Sequence, residues 1–168
     1  MATDFKEPIL ERKPRRARTE PSGRVPLTNF RTVFFSTADM RVRMIKSGVA
    51  AIEVGEIARK MNEPKERLYK LLRLSRATVD RKVRANEKLS TDDSERVLGM
   101  SLLIGQVEAM VVESGDPTGF DAARWLARWL DQPLPALNDE CPANYLDTIE
   151  GQKLVSHMLA SMQSGAYA

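Results

Sequence analysis

The sequence LSRATVDRKVRANEKLS, residues 74–90, sets five cations, Arg76, Arg81, Lys82, Arg84 and Lys88, against only Asp80 and Glu87. Val79 and Val83 stand four apart, the spacing of one buried face of a helix. Ser75 precedes that face and is placed to cap it, its hydroxyl accepting a bond from an N–H of the first turn. Such a helix presses its apolar edge on its own protein and turns its cations toward an anionic partner.

The residues just upstream say what that partner is. Pro64 stands at a helix start, Leu68, Leu71 and Leu72 follow at helical spacing, and Leu74 falls in a turn, which makes a helix, a tight turn and a second helix. In the helix-turn-helix plan the first helix crosses the DNA backbone and the second lies in the major groove, its N-terminal residues at base edges. The candidate DNA-binding residues are therefore Ser75, Arg76, Ala77, Thr78, Asp80, Arg81, Lys82 and Arg84. Arginine there can bond guanine edges bidentately, and the remaining cations can neutralise phosphates. Arg73 holds the turn position where glycine is usual, and Tyr69 a place where a small residue is common. A basic, solvated helix pair without DNA is the alternative reading of the same pattern.

Charge segregation favours DNA. Residues 1–88 hold 22 Lys+Arg and 11 Asp+Glu, a balance of 22 − 11 = +11, whereas residues 89–168 hold 4 and 12, a balance of −8. One half suits a polyanion and the other would be repelled by it. The 168 residues, 42% of them hydrophobic, suit one domain or two small ones with a real core. Cys141 is the only cysteine and His157 the only histidine, so a disulfide framework and a cysteine-rich metal site are excluded. No nucleophile–base pair, glycine-rich phosphate loop or metal spacing is apparent, and neither an enzyme nor a cofactor is expected. No apolar leader opens the chain, and no stretch reads as the roughly 18 apolar residues of a membrane helix. The expected compartment is the reducing cytoplasm.

The punctuation predicts an all-α fold. Residues 1–29, with four prolines in EPILERKPRRARTEPSGRVP, read as a disordered basic arm, and residues 30–89 as the DNA-binding domain. Within the latter, Met40, Met44 and Ile45 predict a helix near 37–47 stopped by Gly48, and Ile52, Ile57 and Met61 a short helix ended by NEP. RTVFF, around Phe34, is the only passable strand. Ser90 caps a long helix whose apolar face spans Val97, Leu98, Leu102, Leu103, Val107, Met110 and Val111. We read residues 90–114 as a connector with a dimerisation surface, or as a helix packed within the chain, and a homodimer is expected. Residues 115–168 form the acidic module, with a helix bearing Phe120, Trp125, Leu126, Trp129 and Leu130, a short helix from Pro142, and a last helix capped by Asp147 or Thr148. That last helix carries Leu154, Val155, Met158, Leu159 and Met162 and stops at Gly165.

The order Trp129-Leu130, Pro133, Leu137, Pro142, Leu146, Thr148, Gly151, Val155, Leu159 and a terminal Gly165-Ala166-Tyr167-Ala168 resembles the C-terminal toxin-binding domain of Xre/MbcA/ParS-type antitoxins. With the helix-turn-helix, the resemblance covers roughly Met40 to Ala168. Asn138-Asp139 departs from it where a glycine pair is usual, and Cys141 where a capping threonine is common. The resemblance implies an antitoxin that neutralises a RES-domain, NAD-degrading toxin and represses its own operon. It implies toxin contacts at Trp129, Glu150, Gly151, Gly165, Ala166, Tyr167 and Ala168, the chain end reaching into the cleft that would admit NAD. A stand-alone regulator with an acidic sensing or dimerising domain is the other reading.

Overall fold

The computed structural model describes residues 25–163. The expectations placed on residues 1–24 and on Gly165, Ala166, Tyr167 and Ala168 lie outside the described residues. The order is α1 (Phe30–Phe34), α2 (Ala38–Ser47), α3 (Ile52–Met61), α4 (Lys65–Leu71), α5 (Arg76–Ala85), α6 (Thr91–Ser114), α7 (Ala122–Trp129) and α8 (Ile149–Gln163). Two 3-10 turns, Pro135–Leu137 and Pro142–Tyr145, lie between α7 and α8. The fold is all-α, and among the described residues extended pairing is confined to two isolated bridges, Ala50 with Lys88 and Leu134 with Glu140.

The helix starts follow from short polar side chains that satisfy first-turn N–H groups. Thr37 accepts from the Met40 N–H, Ser75 from Thr78, Ser90 from Asp93 and Asp121 from Arg124. Asp92 and Asp93 add negative charge at the positive end of α6. RTVFF, in contrast, is helical as α1. Phe30 and Val33, three apart, are both buried, so packing at helical period overrides the strand propensity of the residue types.

The helix α6 is the axis of the molecule. Helices α1, α2, α7 and α8 all pack against it, and Val97, Met100 and Ile104 are wholly enclosed. Each such side chain contributes roughly 1.5–3 kcal/mol relative to exposure. One hydrophobic cluster runs without a break from Leu27 through α6 to Leu159. Residues 90–114 thus pack within the chain as the shared core of both halves, instead of bridging two separate bodies. The helix also amends the sequence reading in another respect: by length and composition it is apolar enough to cross a membrane, yet more than half of its most apolar stretch is buried inside the fold. Its small residues, Gly99, Ser101 and Gly105, interrupt the bulky pattern that would have drawn the eye.

Buried polar groups fix how the helices sit on this axis. Ser94 Oγ accepts from the Val49 N–H at 2.9 Å, and Ser101 Oγ donates to the Leu27 carbonyl at 2.6 Å. Gln106 Nε2 donates to the Ser156 carbonyl at 2.9 Å while Ser156 Oγ donates to Gln106 Oε1 at 2.7 Å. Gln152 Nε2 donates to the carbonyls of Arg96 and Leu146, each at 3.0 Å. A shifted helix would orphan these groups, so they specify register as well as adding stability.

Three expectations on smaller features are corrected. The arm does not extend to residue 29: Leu27 is buried, and its N–H donates to Glu53 Oε2 at 3.2 Å. On α2 the stripe is narrower than its spacing suggests, for Met40 is exposed and only Met44 and Ile45 pack. On α8, Val155, Met158 and Leu159 are buried, whereas Leu154 and Met162 face outward.

Candidate functional site

Helices α4 and α5 meet through a turn that demands an unusual backbone. Arg73 takes φ 51°, the left-handed conformation that glycine adopts without penalty and that costs other residues about 1 kcal/mol. Two bonds close the turn around it, Arg73 N–H to the Lys70 carbonyl at 3.2 Å and Leu74 N–H to the Tyr69 carbonyl at 2.7 Å, and the Leu74 side chain is buried. The surrounding packing thus over-determines the strained residue.

This turn holds α5 with its N-terminal half against the core and its C-terminal half projecting. Val79 is fully buried, but Val83 is 37% exposed, so the apolar edge read from both valines is half as long as expected. Arg76, Ala77, Arg81 and Arg84 are exposed along the outer face, as Ser75 is at its start. Arg81 pairs with Glu87 at 3.4 Å, and no side-chain partner of Arg84 occurs among the described residues. Thr78 is half-buried, its N–H directed at Ser75 Oγ. Two candidates are turned to internal work. Lys82 donates to the Lys88 carbonyl at 2.7 Å, with its side chain only 20% exposed. Asp80 Oδ1 accepts from Lys65 Nζ at 2.7 Å and from the Tyr69 hydroxyl at 3.0 Å.

The electrostatics follow from those bonds. The Lys65 and Tyr69 donors hold the Asp80 carboxyl below the usual range, and Asp80 raises Lys65 in turn. Burial, then the Asp80 bond, pushes the Tyr69 phenol up. Reading the sequence for outward residues missed Lys65 and Tyr69; the signal was a phenol within an otherwise leucine row, whose hydroxyl needs a partner once buried.

The acidic half spends its conspicuous residues inside. Trp129 is only 6% exposed and stacks on Trp125 with ring centres 6.0 Å apart, and the Phe120 ring lies tilted against Trp125 at 6.1 Å. The expectation that Trp129 offers area to a partner does not agree with that burial; it is a core residue. Gly151 is likewise buried, and a methyl group there would overlap the Tyr145 carbonyl oxygen. Its N–H donates to Thr148 Oγ1 at 3.1 Å, which makes Thr148 the cap of α8. Glu150 is the described toxin candidate on the surface, 83% exposed and paired with Lys153 at 2.6 Å. Asn138 and Asp139 both take positive φ, 54° and 62°, so the pair supplies the left-handed geometry usually left to glycines. Cys141 caps nothing, its thiol donating to the Asp131 carbonyl at 3.2 Å.

Two ion pairs tie the halves together at this edge. Arg67 of α4 meets both oxygens of Asp131 at 2.6 Å, and Arg73 of the turn lies 3.9 Å from Asp147. Among the described residues no group of three His, Cys, Asp or Glu side chains could hold a metal ion.

Comparison with known proteins adds to this geometry. Residues 40–100 match the antitoxin Xre-like helix-turn-helix domain, and residues 115–165 the antitoxin Xre/MbcA/ParS C-terminal toxin-binding domain. A curated relative from Sphingobium sp. (strain YBL2), the Prs ADP-ribosylating antitoxin, is 43% identical over 152 residues, 90% of this chain and 96% of the relative.

Proposed function

The chain belongs to the Xre/MbcA/ParS-type antitoxins, and from that premise we propose that it silences a RES-domain toxin acting on NAD and represses its own operon through α5. It is a helix-turn-helix antitoxin and not an enzyme. The observation that carries the finer reading is the union, in one chain, of a helix pair within a +11 segment and a toxin-binding domain within a −8 segment. A cleft that receives the phosphates of NAD is basic, and the acidic half is attractive to it while remaining repelled by DNA. The relative's name speaks of ADP-ribosylation, and ADP-ribosyl transfer and NAD degradation break the same bond between nicotinamide and ribose. That shared chemistry supports an NAD-directed toxin for this chain as well. A protein that works on an operon acts in the cytoplasm, and helix-turn-helix proteins bind paired half-sites as dimers, which supports the homodimer.

Of the contacts proposed with the toxin, Glu150 and the segment Gly165, Ala166, Tyr167 and Ala168 carry the reading. Tyrosine brings large contact area at low entropic cost. The test is NAD consumption by a co-purifying RES-domain toxin, with full-length protein and with a form lacking residues 165–168, alongside a pull-down. We expect the truncated protein to bind the toxin without silencing it. Full inhibition by the truncated form would overturn the plugging role and move the inhibitory contacts to the surface around Glu150. A toxin that neither binds nor responds to the full-length protein would leave the helix-turn-helix as the protein's operative site.

A further inference from the structure

Asp80 is an odd resident of a DNA-reading face, because a free carboxylate there would repel phosphate. Its neighbours remove the oddity. Oδ1 is occupied by Lys65 Nζ at 2.7 Å and the Tyr69 hydroxyl at 3.0 Å, both from α4. Oδ2 faces the Nε of Arg76, one turn earlier on α5, at 3.6 Å. One terminal nitrogen of Arg76 also lies 3.7 Å from Glu66 of α4, and the side chain as a whole remains 68% exposed. The aspartate is thus anchored through one oxygen to the first helix and directed through the other at the inner edge of the arginine fork. With the Asp80 carboxylate beside Nε and Glu66 near one terminal nitrogen, the two carboxylates bias the exposed guanidinium, whose terminal pair matches guanine O6 and N7 once the loose Glu66 contact is exchanged for the base.

We propose that Asp80 is a positioning residue that aims Arg76 end-on at a guanine, so that one base of the operator is read by the Asp80–Arg76 pair and not by Arg76 alone. The inference rests on the reading of α5 as the DNA-contacting helix. Asp80 itself touches no base. Its anchorage on Tyr69, a buried side chain, makes the aim rigid. An arginine held in place loses less rotational freedom on binding than one recruited from solution.

The pairing suggests a substitution that separates anchoring from aiming. Asp80→Asn keeps an oxygen that can accept from Lys65 and Tyr69, but it turns an amide N–H toward Arg76, which has no acceptor to receive it. The experiment is selection from a library of duplexes randomised in sequence, using the full-length protein, Asp80→Asn and Arg76→Ala, with thermal melting as the check on folding. Wild type is expected to select a position where guanine is preferred, and Arg76→Ala to lose that preference. Asp80→Asn should lower the guanine preference at that same position by about tenfold, the span of one bidentate contact, and leave the other positions as they are.

An unchanged preference in Asp80→Asn would overturn the proposal. So would a uniform loss at every position with an unaltered melting temperature, because that result assigns Asp80 to general docking. Should Asp80→Asn melt early, Tyr69→Phe serves as the second variant, since it deletes one anchor bond and keeps the buried ring. It should weaken the same single preference, and a Tyr69→Phe protein selecting like wild type would count against the anchor. A wild-type protein that enriches no sequence at all would instead refute the DNA-contacting role of α5, a failure distinguishable from both.

Discussion

The two halves use their distinctive residues in opposite ways. On the basic side, Arg76, Arg81 and Arg84 are exposed and held, where they are held, by long surface ion pairs. On the acidic side, Trp129, Gly151 and Gln152 are closed inside, and each is accounted for by a stacked ring, a backbone contact or a pair of hydrogen bonds. The difference teaches where a family pattern carries information about contact and where it carries information about shape. An exposed arginine that contributes little to stability is free to be chosen for its ligand. A buried tryptophan or glycine recurs in a pattern because the fold fails without it, whatever the partner.

Substitutions can break this comparison, and the largest effect should come from Trp129→Ala. Removing a buried, stacked indole should cost about 3–5 kcal/mol, read as a lowered denaturant midpoint, with loss of toxin binding only as a consequence of unfolding. Normal stability with lost toxin binding would return Trp129 to the interface. Gly151→Ala should cost about 3 kcal/mol, at the upper end for overpacking, because the opposing atom is backbone and cannot swing away. The same pair of measurements decides whether Gly151 is a contact after all.

Arg81→Ala inverts the pattern. Operator affinity should fall by about 1–3 kcal/mol if this arginine reads a guanine, while stability stays within about 0.5 kcal/mol. Gel-shift titration and chemical denaturation on one preparation give both numbers. Smaller still is the expected cost of Glu150→Ala to the isolated protein, no resolvable shift of the denaturant midpoint, because its pair with Lys153 is exposed and screened. A drop in toxin affinity at that unchanged midpoint would mark Glu150 as a contact.

A pH series sharpens the basic side further. The folded carboxyl of Asp80 titrates below its unfolded value, so its contribution is present above the ordinary Asp range and is lost as pH falls through the lower, folded value. Carboxyl chemical shifts in the folded protein should therefore place Asp80 below a free aspartate, and Tyr69→Phe should move it back up.

Much of the fold was legible because its signals are local. Thr37, Ser75, Ser90 and Thr148 announce helix starts from the residue type alone, and Arg73 announces a strained turn because the pattern wants glycine there. What the sequence withheld were relations between distant residues. Nothing near Thr91 says that four helices will enclose α6, and nothing in RTVFF says that it will meet that helix and so become one itself. In the candidate site the outward cations were legible from a period of 3.6, but the Tyr69–Asp80 bond spans two helices and leaves no periodic trace. Two tryptophans on an amphipathic helix favour core over interface, and Trp129 follows that preference and not the contact role that the family resemblance implies for it.

The axial position of α6 has a consequence for how such a molecule ends its life. Two domains strung on a linker would surrender their tasks one at a time, each surviving a cut in the other. Here a single proteolytic nick between Thr91 and Ser114 would split the cluster that both halves share. The DNA-reading pair and the toxin-binding domain would lose their common support in one event. Release of DNA and release of the toxin would then share one clock, set by how often this one helix is laid open.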